Sequence, residues 1–270
     1  MSTSVENAPL LELIAELRWR PAGLPPEVET AAGPTVIPLQ TNGLHEFFMR
    51  FGGEVHGAGY SEVKRLVPES FPMLAHQPIY RFNSQSEGRT KSLYQVGPGL
   101  FTANAVPPYE SWSSFGPLVQ SGVKALLKSR DVGERNTPFL GATLRYLDAF
   151  GPSLTEGRDS ATFVRDVLGI QIELPSALTQ HLQPGAAWKP FLQFHIPVRS
   201  NVLLAVAIGD GVANDTPVVL MDTAVSFAFP IAPDADAVMV AFNEAHELIA
   251  SSFKKLMAPI AHLMPEKKKA

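Results

Sequence analysis

An alternation of apolar and polar residues runs from Leu10 to Arg20. Side chains of a β-strand point to opposite faces in turn, so this pattern is typical of a half-buried strand. We expect one face of this strand to lie in the core. That apolar face comprises Leu11, Leu13, Ala15, Leu17 and Trp19, and the residues on the other face include Glu12, Ile14, Glu16 and Arg18.

The pattern then predicts a helix, a group of hairpins and a second helix. Residues 44–51 repeat phenylalanine and leucine at helical spacing and end at two glycines, which predicts a short helix. Residues 112–127 place apolar side chains on one helical face, and the alternating run Phe139–Phe150 predicts another strand. Between the helices lie three short strand-like runs, joined by turns that allow only antiparallel hairpins: Ile79–Asn83, Ser92–Val96 and Leu100–Val106.

The second half of the chain repeats this order of elements. A short helix near Asp159–Leu168 is followed by three strand-like runs, Phe191–Val198, Val202–Ile208 and Val218–Phe229. The last amphipathic stripe, Val238–Ile260, predicts a long helix with Asp234 as its N-cap.

These patterns together predict the fold class α+β. We expect an antiparallel sheet with two long amphipathic helices packed on one face, in two pseudo-repeated βββα halves. The halves would span residues 1–150 and 151–270, either as separate units or as one continuous domain.

Composition narrows the classes of protein that this chain can represent. Of its 270 residues 18% are charged and 45% hydrophobic, which disfavours a disordered scaffold, a collagen-like fibre or a coiled coil. The balance of 22 Lys+Arg against 26 Asp+Glu gives a net charge of −4, which points neither to nucleic acid nor to a membrane surface. The absence of cysteine excludes disulfides, thiolate metal sites and a cysteine nucleophile.

Targeting signals are not expected from this sequence. No basic residue precedes the first apolar segment, so we expect neither a secretory signal nor a transit peptide, and a cytoplasmic location. No apolar run approaches the roughly 20 residues that a membrane-spanning helix needs. We therefore expect a soluble protein without a membrane partner.

Motifs of common enzyme chemistry are missing. His45-Glu46 and His246-Glu247 each lack the second histidine that a zinc-protease helix places one turn later. The chain also has neither a Gly-x-Ser-x-Gly elbow nor a phosphate-binding glycine loop followed by Lys-Ser/Thr. The sequence therefore predicts no metal site and no cofactor.

Polar residues in the middle of strands are the main candidates for a binding site. A desolvated polar group must find a partner or serve a function. If the strands share one sheet, these side chains form a charged floor, either as a ligand or partner groove or as a solvated surface with weak ion pairs. They are Glu12, Glu16, Arg18, Arg145, Gln193 and His195, with Asp222 expected to pair with an arginine because its strand neighbours are apolar.

A second group of candidates lies on the two long helices. His246 falls at the edge of the apolar stripe of the last helix, whereas Tyr109 and Trp112 open the middle helix. Each can pack in the core or contribute to binding.

Four short motifs occur in order along the chain: Asn7-Ala-Pro-Leu-Leu-Glu12, the block from Tyr94-Gln-Val-Gly-Pro-Gly99 to Pro108-Tyr-Glu-Ser-Trp112, Leu144-Arg-Tyr-Leu-Asp148, and Ala245-His-Glu247 followed by Phe253. Together they resemble a bacterial protein family of sporadic distribution whose function is not established, over nearly the whole chain. Asp148 stands where that family has Asn, and Glu110-Ser111 where it has a Gly nearer the tryptophan. The resemblance implies a small soluble bacterial protein on mobile or defence-associated loci, and it carries over no activity, cofactor or catalytic residue.

Three functions remain open at this point. The first is a non-enzymatic binding or complex-forming protein, with a protein partner or a second copy as the expected occupant and a small ligand as an alternative. The second is a hydrolase-type enzyme with acid–base residues drawn from Glu12, Glu16, His195 and His246. The third is a single-stranded nucleic-acid binder that uses aromatic and basic residues of the first hairpins: Tyr80, Arg81, Phe82, Arg89, Lys91 and Tyr94.

Overall fold

The computed structural model describes residues 7–21, 41–84, 91–107 and 111–265. Over these residues the chain has an α+β fold with one antiparallel sheet, which confirms the predicted fold class. The strands are β1 (Leu10–Arg18), β2 (Glu62–Arg65), β3 (Tyr80–Asn83), β4 (Lys91–Gly97), β5 (Leu100–Val106), β6 (Gly141–Phe150), β7 (Phe191–Arg199), β8 (Val202–Ala213) and β9 (Thr216–Phe227). The helices are α1 (Thr41–His56), α2 (Trp112–Ser129), α3 (Pro152–Thr155), α4 (Ser160–Asp166), α5 (Ser176–Thr179) and α6 (Ala235–Leu256), followed by a 3₁₀ helix (Ala258–Leu263).

Strands from both predicted halves join the same sheet. Its order is β2-β3-β4-β5-β1-β6-β9-β8-β7, so β1 and β6 are neighbours at the centre. Read outward from this pair, the order is β1, β5, β4, β3 and β2 on one side and β6, β9, β8 and β7 on the other. The described sheet therefore has one strand more on the β1 side than on the β6 side.

One face of the sheet is covered by helices. Leu13, Ala15 and Leu17 of β1 are fully buried on this side. The register places Ala15 level with Ala103 and Leu144 on the strands that flank it, so these side chains share a face. Strand β5 contacts α2, and strands β6 and β9 contact α6. We call this side the helix-covered face.

Close contact between α2 and the sheet depends on a glycine. A Cβ atom at Gly122 would lie 2.6 Å from the ring of Tyr94 and 2.8 Å from that of Phe101. The hydroxyl of Tyr94 donates to the carbonyl of Leu118, one turn earlier in α2, at 2.6 Å. The missing side chain at residue 122 thus lets α2 lie directly on these rings.

A local signal in the sequence explains where α6 begins. The carboxylate of Asp234 accepts hydrogen bonds from the backbone N–H groups of Asp236 and Ala237, both at 3.0 Å, as expected of the N-cap of α6. The strand β2 has no counterpart among the predicted elements. Three of its four residues are charged, so it carries no apolar alternation. Among the described helices, none is both long and apolar enough to cross a bilayer.

Candidate functional site

The face opposite the helices carries the ionic residues of the central strands. On β1 this face presents Glu12, Ile14, Glu16 and Arg18. The register places Asn104 and Thr102 level with them on β5, and Arg145 and Thr143 on β6. On β9 the same face carries Asp222, Ala224 and Ser226. We call it the polar face.

A chain of hydrogen bonds links β5 to β1 on the polar face. Thr102 donates its hydroxyl to Oδ1 of Asn104 at 2.8 Å, and Asn104 donates its amide to Oε1 of Glu12 at 2.7 Å. Thr102 and Asn104 are buried, whereas Glu12 is half-buried. Glu12 is thereby held in one orientation by a side chain that is itself fixed.

A second contact crosses from β6 to β9. Arg145 donates Nε–H to Oδ1 of Asp222 at 2.7 Å and Nη2–H to its other oxygen, a two-point pair typical of arginine and carboxylate. The hydrogen bond to Asp222 raises the pKa of Arg145, and the charges of Glu12 and Glu16 add to this. On β1 itself, Arg18 donates Nε–H to Glu16 at 2.6 Å.

These contacts lie side by side on four neighbouring strands, and between β1 and β6 the charges of Glu12 and Glu16 act on Arg145 without a hydrogen bond; we call the whole set the ionic row. Arg18 is its most exposed member, with 53% of its side chain exposed; the side chain of Asp222 is 26% exposed, and that of Arg145, which lies nearer the middle of the row, is 47% exposed. An incoming molecule can reach the guanidinium edge without displacing a helix. The ionic row consists of Thr102, Asn104, Glu12, Glu16, Arg18, Arg145 and Asp222.

Apolar residues adjoin the ionic row on the same face. The register through β6, β9 and β8 brings them side by side. All are half-buried, and their larger members belong to neither core cluster of the protein. This apolar strip consists of Ile14, Leu147, Leu203, Ala205, Ala207, Leu220 and Ala224.

Gln193 and His195 lie on the polar face two strands beyond Asp222, the end of the ionic row on β9. Gln193 is level with Ala207, and His195 with Ala205, on β8. Their side chains contact each other, with the two Nε2 atoms 3.0 Å apart, and both are exposed. Strand β7 is four strands from β1, which corresponds to roughly 19 Å at the usual strand spacing.

His246 and Trp112 lie on the helix-covered face instead. Nδ1 of His246 is 2.7 Å from the hydroxyl of Tyr146, and its ring stacks on that of Trp112 with centroids 5.0 Å apart. Trp112 in turn donates its indole N–H to Oδ1 of Asn243 at 2.8 Å. Burial lowers the pKa of His246, which favours the neutral imidazole. Tyr109 lies outside the described residues.

A buried carboxyl group close to this cluster was not among the predicted site residues. Asp148 is almost wholly buried, and burial, together with the charge of Asp222, raises its pKa to about 7. Asp148 is separated from Leu144, Tyr146 and Phe150 by even numbers of residues along β6, so all four side chains lie on the same, apolar face of the strand. The alternation in the sequence therefore indicates this position. Alternation would also have found Thr102 and Asn104, which lie between the apolar residues of β5.

The groups named for acid–base chemistry do not converge. Glu12 and Glu16 share the polar face, His195 lies near its edge, and His246 lies behind the sheet. The aromatic residues named for nucleic-acid stacking also turn away from the polar face. Phe82 and Tyr94 are buried against α1 and α2, and Arg89 lies outside the described residues.

Comparison with known proteins adds no relative. No family model matches the chain, and no curated protein matches it.

Proposed function

We propose that this chain is a non-enzymatic binding protein that engages a protein partner through the polar face of its sheet. The carrying observation is the apolar strip beside the ionic row. Protein interfaces combine an apolar centre with polar groups around it, and arginine is enriched in them. Small residues such as Ala205 and Ala207 on β8 leave the backbone accessible to a partner that approaches closely.

The charge on the polar face favours a protein over a nucleic acid. A phosphate backbone is recognised by an excess of Lys and Arg. Here cationic and anionic side chains occur in nearly equal numbers, and the central arginine is paired with a carboxylate. The charged residues of this face are Arg18, Lys64, Arg81, Lys91 and Arg145, with Glu12, Glu16, Glu62 and Asp222.

The arrangement of the helices supports the same proposal. We infer that the two long helices α2 and α6 pack together behind the sheet, since they contact each other as well as β5 and β6. Their position leaves the polar face to a partner.

The order of the strands also supports two related halves. Here β6 opens the second half, whereas the sequence prediction placed the boundary at residue 150, after β6. Each half then begins with a central strand, continues through a meander whose last strand returns beside the first, and ends in a long helix. In this interpretation the ionic row crosses the junction between the halves, because β1 and β6 meet there.

The test is affinity purification from the native host with mass spectrometry, using matched variants. Ala205→Arg places a long cation on the apolar strip, and Val240→Arg places the same cation on α6, where Val240 is 67% exposed. We expect the wild-type chain and Val240→Arg to retain a common protein partner that Ala205→Arg loses. Circular dichroism and thermal unfolding establish that both variants are folded.

Two results would overturn the proposal. One is a partner retained equally by both variants, which would place the interface elsewhere. The other is the absence of any stoichiometric protein in the wild-type purification.

A further inference from the structure

We propose that a second copy of this chain pairs with β7, so that two sheets join edge to edge in an antiparallel dimer. The proposal begins with the two ends of the sheet. At one end β3 is covered by β2, whereas at the other end the described sheet stops at β7. In the outward order from the centre, β7 corresponds to β3, so the position that β2 fills on one side is vacant on the other.

The two terminal strands differ in how they are protected. Strand β2 has four residues, and Glu62, Lys64 and Arg65 supply charges that discourage further pairing. Strand β7 has nine residues, and Arg199 at its end is the sole charged one. The guanidinium of Arg199 is bound to Glu244 at 2.7 and 2.9 Å, which draws its charge away from the strand.

Apolar side chains of β7 are exposed to an unusual degree. Phe191 is 79% exposed, Ile196 47%, Val198 41% and Phe194 37%. Phe194 and Ile196 lie on the helix-covered side, level with Val206 and Leu204 of β8. A long, apolar edge strand is a template for pairing with another strand.

The backbone shows which groups of β7 point outward. The carbonyl of Asn201 accepts the N–H of Ala228 at 2.8 Å, and bonded pairs alternate along an antiparallel ladder. Leu203, level with Ser226, is therefore the next bonded pair and directs its backbone groups to β9. Pro197 is level with Leu203, so its own backbone groups point away from β8.

This parity selects one register for the dimer. Backbone groups of every second residue in a strand point to the same side. The N–H and C=O groups of Phe191, Gln193 and His195 therefore point outward from the sheet, as those of Pro197 do. Proline has no N–H to donate. An antiparallel pair centred on Gln193 uses Phe191, Gln193 and His195 of each copy, whereas one centred on His195 would lose the bond at Pro197.

A second copy also fits the symmetry of the contact. When β7 pairs antiparallel with β7 of a second copy, a two-fold axis relates the two strands, so every contact between them occurs twice. In this register Leu192 of one copy faces Phe194 of the other. Strand pairing over so few residues buries less than a standard interface, so we expect a roughly micromolar, concentration-dependent dimer.

Single cysteines test the register directly, because the chain has none of its own. In the proposed pair, the Cα atoms of Gln193→Cys in the two copies lie about 5.5 Å apart, within disulfide range. In the matched variant His195→Cys they are displaced by four residues, at least roughly 13 Å. Both native side chains are exposed, on the same strand and face. We expect Gln193→Cys to form a covalent dimer under mild oxidation and His195→Cys to form none, although both still pair reversibly.

Sedimentation of the cysteine-free chain provides the second measurement. We expect the wild-type chain to form reversible dimers whose population rises with protein concentration. Phe194→Lys should abolish these dimers. Val63→Lys, a matched change at the exposed Val63 of β2, should leave them unchanged. Thermal unfolding checks that both variants fold. A wild-type chain that stays monomeric at all accessible concentrations overturns the proposal. The proposal is also overturned if neither cysteine variant cross-links, if both cross-link equally, or if only His195→Cys does. A foreign strand bound at β7 in place of a second copy would overturn it as well and would identify the alternative occupant.

Discussion

The two faces of the same central strands differ in what their side chains do. On β1, Leu13, Ala15 and Leu17 are fully buried against the helices, whereas Glu12, Ile14 and Glu16, which alternate with them, are half-buried on the polar face. The first set lies in the core, whereas in the second set Glu12 and Glu16 accept hydrogen bonds from Asn104 and Arg18, and Ile14 belongs to the apolar strip. The proposed binding through the polar face therefore predicts that stability and binding change separately when neighbouring residues of one strand are substituted.

The largest expected contrast comes from two adjacent residues of β1. Leu13→Ala removes a fully buried side chain and should lower the free energy of unfolding by about 2–5 kcal/mol. Ile14→Ala removes a half-buried side chain from the apolar strip and should cost roughly 1 kcal/mol or less. Urea denaturation of both variants measures the difference. Equal losses would mean that the two faces are buried alike.

Replacing a glycine of α2 by alanine tests how closely this helix packs on the sheet. Alanine normally stabilises a helix relative to glycine by about 1 kcal/mol. At Gly122 the new methyl group collides with Tyr94 and Phe101, so Gly122→Ala should instead destabilise the protein by about 1–3 kcal/mol.

Gly53→Ala in α1 is the matched control, since nothing lies within 4 Å of its Cβ position. It should leave stability unchanged or raise it. Thermal unfolding distinguishes the two results, and stabilisation by Gly122→Ala would contradict the close contact of α2.

Asp148 introduces a pH dependence on the helix-covered face. Its pKa is about 7 in the folded protein and near 4 when unfolded, so the folded state holds the proton between these values. The free energy of unfolding therefore falls as pH rises from about 4 to 7. Asp148→Asn should remove this loss and stabilise the protein by about 1–3 kcal/mol at pH 8.

The advantage of Asp148→Asn should vanish as the pH falls below about 4, where the carboxyl of Asp148 is protonated in both the folded and the unfolded state. Urea denaturation across this range measures it. A stability difference that does not change with pH would show that the carboxyl is not the cause.

The smallest expected effect belongs to the ionic row. Arg145 and Asp222 are partly exposed, so a double-mutant cycle with Arg145→Ala and Asp222→Ala should give a coupling of about 0–1 kcal/mol. A coupling of several kcal/mol, measured by denaturation, would mean that the pair holds the sheet together. In that case binding and stability could not be separated on this face.

The alternation in the sequence predicted much of the fold, because it reports directly which side chains of a strand share a face. Glu12, Glu16, Arg18 and Arg145 follow it and lie on the polar face. Strand order is a different matter, since no local pattern says that β1 pairs with β5 and β6. The distance between His195 and Glu12 depends on that order and was not predictable.

Helical periodicity has a similar limit. It placed His246 at the edge of an apolar stripe, but the side of the sheet on which α6 packs is decided by tertiary contacts. Strand β2 escaped prediction because its charged residues show neither apolar alternation nor a turn signal. It forms a strand because it pairs with β3, and its own composition does not indicate this pairing.

The central position of β1 also has a consequence for synthesis. Its partners are β5, at residues 100–106, and β6, at residues 141–150. On the ribosome β1 stays unpaired until β5 has emerged, and its other edge stays open until β6 follows, with its apolar side accessible to chaperones meanwhile. Because such distant segments must meet before the middle of the sheet can form, we expect slow folding that is completed only late in translation.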